Sequence, residues 1–122
     1  MKPVYVWTLI GRLPGLNEVT ATNRNNRYAG AKQKRQTEAA LLAQLCPRPQ
    51  LSGGYHWRFT WYEADRRRDP DNIASAVKFI FDALQAAGII GNDNWQCVLS
   101  ISHTFCVSDD GGYGVRIEAH TQ

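Results

Sequence analysis

RRRDPDNIASAVKFIFDALQAAGIIGNDNW, residues 66–95, sets three arginines, two aspartates one residue apart, a helix-like run with a single lysine, and a further acid in one short span. A packed core requires none of that charge. Asp69 before Pro70 is a good helix start, because an aspartate caps free backbone donors and proline suits the first helical position. A helix over 71–87, at about 100° per residue, puts Asp71, Ser75, Lys78 and Asp82 in one stripe and Ile73, Val77, Ile80 and Leu84 opposite. The helix therefore buries an aliphatic seam and shows a lysine between two carboxylates. A plain solvent-facing stripe looks similar, with Lys78 and Asp82 as a local pair worth a few tenths of a kcal/mol. Phe79 and Phe81 flank the seams, and at least one is a candidate for a subunit contact. Asp93 follows after a short turn. A helix of this length spans about 25 Å at about 1.5 Å per residue, so Asp93 approaches Asp71 only if the chain folds back.

Outward from this stretch, the pattern is one of strands and helices in alternation. Residues 4–10 read as a strand from their aromatic and branched content. Residues 11–30 are rich in Gly, Pro and Asn and predict a long loop or irregular connection. Residues 31–46 predict a helix with Ala39, Leu42, Leu45 and Cys46 at helical spacing, and Lys32, Lys34 and Arg35 at its basic end. In residues 55–64, Tyr55, Trp57, Phe59 and Trp61 alternate with polar positions, so their face should be core. Residues 97–107 alternate again, with Leu99, Ile101, Phe105 and Val107 on one side. A hairpin-like turn at 108–112 leads to a last strand over 113–120, with Tyr113, Val115 and Ile117 on one face.

The 122 residues suffice for one core, so a single domain over 1–122 is expected. Charged content is 20%, with 4 Trp and 5 Tyr, the composition of a folded chain. The apolar runs fall short of a membrane span, and the first residues lack a cleavage site, so a cytoplasmic location is expected. Cys46, Cys97 and Cys106 lack close pairing and His56, His103 and His120 are scattered, which argues against zinc or disulfide chemistry. The net charge of +3 conceals an asymmetry. Up to Arg48 the acids are only Glu18 and Glu38, against Lys2, Arg12, Arg24, Arg27, Lys32, Lys34, Arg35 and Arg48. One region suits a polyanion and the other a cation, although charged helix faces are also ordinary solvated surface.

If Asp69, Asp71 and Asp93 converge, they offer hard oxygen ligands to Mg²⁺, with Mn²⁺ as the alternative. Such an ion polarises a phosphoryl oxygen. Lys78 would then neutralise developing charge. Arg66, Arg67 and Arg68, with Arg24, Arg27, Lys32, Lys34 and Arg35, would engage flanking phosphates and position DNA without reading its sequence.

RRRDPDNI, KFIFDAL and AGIIGNDNW, with the earlier LPGLNE and NRYAGAK, resemble the RusA family of Holliday junction resolvases over nearly the whole chain. The resemblance implies an α+β fold with a mixed sheet of about four strands and two main helices. It also implies a homodimer, and Mg²⁺-dependent cutting of four-way DNA junctions by paired symmetric nicks. Asp69, Asp71 and Asp93 then correspond to metal-binding carboxylates and Lys78 to a basic catalytic residue, with Asn72, Asp82 and Asn92 in supporting places. Two departures stand out: Asn92 precedes Asp93 where some members carry a second aspartate, and Lys78 lies about one helical turn further from Asn72. The alternatives are a nuclease of flaps or other branched DNA, a catalytically weak or inactive DNA-binding module, and a phosphohydrolase of small substrates.

Overall fold

The computed structural model describes residues 3–121. In chain order the elements are β1 (Tyr5–Ile10), α1 (Leu16–Asn25), α2 (Arg27–Gln44), β2 (Tyr55–Glu63), α3 (Pro70–Ala74), α4 (Val77–Ala86), β3 (Val98–Val107) and β4 (Gly114–His120). The strands form one mixed sheet in the order β1-β4-β2-β3, antiparallel except for the parallel pair β2 and β3. The domain is α+β, as expected.

Alternation along the strands decides which face is packed. Trp57, Phe59 and Trp61 of β2 are buried, as are Trp7 and Leu9 of β1 and Val115, Ile117 and Ala119 of β4. The register lines them up in rows: Trp7 opposes Ile117, Ile117 opposes Phe59, and Phe59 opposes His103 of β3. Leu41 of α2, Ile73 of α3, and Ile80, Phe81 and Leu84 of α4 complete the same core. Phe81 meets the rings of Trp57 and Phe59 edge-on, at 5.7 Å from each, an arrangement that aromatic rings favour. Phe81 is thus spent inside the chain, and Phe79 also packs against the core.

Four expectations change. Residues 11–30 are mostly helical, because α1 fills 16–25 and α2 begins at Arg27. Asn26 separates them in an extended conformation, φ −161° and ψ 121°, and its side chain accepts from the backbone of Tyr28 and Ala29. Asparagine here is an N-cap, not a loop marker. On α2 the buried face carries Gly30 and Leu41, while Ala39 is exposed; the helix ends at Gln44, so buried Leu45 is its C-cap and exposed Cys46 lies beyond it. The helix expected over 71–87 is interrupted at Ser75 and Ala76, giving α3 and α4. Finally, residues 108–112 turn but do not close a hairpin, since β2 lies between β3 and β4. Asp110 accepts from the Gly112 N–H at 2.9 Å, and Gly111 takes φ +74°.

Candidate active site

The corner between β2 and α3 is held by a partly buried polar network. Arg68 donates two bonds to Glu63, Nε to Oε1 at 3.0 Å and Nη2 to Oε2 at 2.8 Å, where its fork matches the carboxylate. Its Nη1 donates to the Leu13 carbonyl at 2.8 Å and to Glu18 at 3.1 Å. Glu18 also accepts from Asn72 Nδ2 at 3.0 Å and from Arg12 at 3.0 Å. Partial burial pushes the Glu18 carboxyl up, but the hydrogen bonds from Asn72 and Arg68 outweigh it and hold the group at about 2. Burial opposes the charge on Arg68, and Glu63 overcomes that, so its pKa is raised.

The same corner caps α1 from a distance. Gly15 has no side chain to offer the first-turn donors of α1. Instead the Leu16 N–H donates to Ser75 Oγ at 2.7 Å and the Asn17 N–H to Asn72 Oδ1 at 2.9 Å. Ser75 Oγ in turn donates to the Asn72 carbonyl at 2.6 Å. A Cβ on Gly15 would collide with the Asn72 carbonyl, so the approach of the two helices requires glycine there.

Asp69 stands at the start of α3, with φ −71° and ψ 149°, yet its side chain makes no capping bond. The expected local explanation for this aspartate therefore fails. Asp69 and Asp71 are both exposed, and the Asp71 carboxylate accepts only the adjacent Asn72 N–H, at 2.9 Å. Asp69 lines a cleft of about 300 Å³ with Arg66, Pro70, Ile73, Phe105 and Val107. A larger cleft of about 460 Å³, beside Ile10, Tyr62 and Tyr113, lies away from these acids.

Lys78 and Asp93 meet because the chain folds back after α4. Lys78 Nζ lies 3.0 Å from Asp82 and 3.1 Å from Asp93. The hydrogen bond to Asp82, then that to Asp93, raises the lysine pKa. The Asn92 side chain accepts from the Asn94 N–H at 3.1 Å, so it shapes the turn that carries Asp93. Asp69, Asp71 and Asp93 are not gathered into one cluster: among the described residues no three of His, Cys, Asp and Glu are grouped to hold an ion.

Of the basic residues, Arg24, Arg27, Lys32, Lys34, Arg35 and Arg66 are exposed, and none forms an ion pair among the described residues. Arg67 pairs weakly with Asp65 at 3.5 Å. Arg68 differs: its side chain is 11% exposed and its donors are committed inside the protein, which leaves it no free fork for a phosphate. Glu18, Glu63 and Asn17 belong to the corner although sequence patterning gives them no part in it. The isolation of Glu18 among cations was the one visible signal. No helix among the described residues is long and apolar enough to cross a membrane. The chain matches no protein-family model, and no curated protein matches it significantly.

Proposed function

We propose that this chain is a metal-dependent, structure-selective endodeoxyribonuclease that cuts four-way DNA junctions as a homodimer in the cytoplasm of a bacterial or phage-infected cell. The observation that carries this reading is Asp69, a helix-start aspartate without a capping role, left exposed in a cleft that Arg66 also lines. The partly buried Arg68–Glu63–Glu18–Asn72 network supports the reading, because a preorganised corner holds reacting groups in place at little cost in the reaction.

The hard carboxylate oxygens of Asp69 and Asp71 suit Mg²⁺ or Mn²⁺ in donor chemistry, whereas Asp93 is engaged by Lys78. When bound, such an ion supplies Lewis-acid polarisation of a phosphoryl oxygen. Lys78, held between its two acids, supplies fixed positive charge beside Asp93. Arg24, Arg27, Lys32, Lys34, Arg35 and Arg66 bind phosphates and orient the duplex arms.

A second reading is favoured by the Lys78 bridge: with Asp93 tied to a lysine, the chain acts as a branched-DNA-binding module with little or no cleavage. Incubating the protein with a synthetic four-way junction, a flap and a linear duplex, with and without Mg²⁺, separates the two. Paired nicks in the junction alone, dependent on Mg²⁺, are expected. Tight junction binding with no nick, with or without Mg²⁺, leaves the module.

A further inference from the structure

Helices α1, α2 and α4 border a cleft of about 300 Å³ that shares no lining residue with the Asp69 cleft. Its floor is a stretch of α2 without bulky side chains. Arg27, Gly30, Ala31 and Lys34 fall on one face of that helix, so the glycine and alanine leave a gap between two cations. The cations stand two turns apart, about 10 Å along the axis at about 1.5 Å per residue. Phe79 of α4 and Val19 of α1 supply the apolar wall. Phe79 packs against the core but is only partly buried, so ring surface remains for the cleft. Asn23 of α1 lays its amide against Gly30, in the space that a Cβ would need. Charge decides what fits. Arg27 and Lys34 are exposed and form no ion pair among the described residues, and no acid lines the cleft. The Asp69 cleft, by contrast, is lined by Glu63, Asp65 and Asp69.

We propose that this cleft takes one unpaired nucleotide of a branched DNA, with its base stacked on Phe79 and the phosphates on either side held by Arg27 and Lys34. An apolar trough with a cation at each end suits a flat, uncharged ring flanked by two negative charges, the combination by which single strands are held. The Asn23 amide offers both a donor and an acceptor to the edge of the base. A base within a continuous duplex has both faces covered by its neighbours and does not enter. One that is already unpaired enters at least cost. Phe79 directly follows Lys78, so the cleft adjoins the Lys78–Asp93 bridge. The inference rests on the DNA reading above and adds to it a site for a base, where that reading has contacts to phosphates alone.

Fluorescence anisotropy in chelator, where nothing is cut, reads the site with three labelled duplexes: one continuous, one with a single unpaired nucleotide, and one with an abasic unit in place of that nucleotide. The parent should bind the second about tenfold more tightly than the other two, the worth of one stacked base. Phe79→Leu keeps an apolar side chain against the core and should erase that preference. Ala31→Leu should erase it too, by filling the floor from an exposed helical position that takes no part in the core. Lys32→Ala, a cation of the same helix outside the cleft, should weaken all three duplexes alike. Equal affinity of the parent for the unpaired and abasic duplexes, or a preference that persists in both leucine variants, overturns the inference. Neither result bears on Mg²⁺-dependent nicking of junctions, so the cleft and the nuclease reading fail separately.

Discussion

Lys78 bridges Asp82 and Asp93, at 3.0 and 3.1 Å, and so ties the first turn of α4 to the turn beyond its far end. The lysine is 68% exposed, so water and salt screen the bridge, and Lys78→Met should cost less than about 1 kcal/mol. The folded pKa is raised above the ordinary 10.5. The contribution is therefore complete below 10.5 and disappears as pH rises through the higher folded value. Thermal melts of the parent and Lys78→Met should converge above that range. A difference that persists there would mean the lysine acts by packing.

Removing Arg68 should be far more damaging. Arg68→Ala leaves Glu63, 7% exposed, without its bidentate partner, and a broken buried pair costs about 3–5 kcal/mol. Denaturant titration measures it. Arg68→Lys should recover only part of the loss, since an ammonium cannot reproduce the fork.

Acid should weaken the same corner. Glu18 sits at about 2 when folded against an ordinary 4.5, so its contribution is present above 4.5 and is lost as pH falls towards 2. Glu18→Gln should flatten the stability profile between those limits. An unchanged slope would place the acid sensitivity elsewhere.

The contact between α1 and α3 predicts an intolerance to one methyl group. Gly15→Ala puts a Cβ against the Asn72 carbonyl at an ordinary φ of −88°, so the penalty is steric and about 1–3 kcal/mol. Asn72→Ala uncaps α1 and should cost about 1–2 kcal/mol. Both are read from thermal unfolding.

Period-two alternation made β2 legible, because Trp57, Phe59 and Trp61 are buried on one face as their spacing implies. The aliphatic seam of Ile73, Ile80 and Leu84 was equally plain, since apolar residues at helical spacing have few other uses. Helix α1 was not legible. Its Asn and Thr residues are weak helix formers, and its N-terminal donors are satisfied by Asn72 and Ser75, more than fifty residues away. The arginine run also looked uniform, while only a tertiary partner distinguishes Arg68, inside the protein, from exposed Arg66 and Arg67. Asp93 folding back to Lys78 depended on a turn set by Asn92 and Asn94, which periodicity does not describe.

The measurement that bears most directly on the functional account is single-turnover cleavage of a four-way junction in Mg²⁺ by the parent, Asp69→Asn and Asp71→Asn, with junction affinity determined in parallel. Each substitution should abolish nicking by at least ~100-fold, consistent with loss of an electrostatic catalytic group, while binding stays within a few-fold of the parent. Undiminished nicking in both variants would contradict the assignment of these carboxylates.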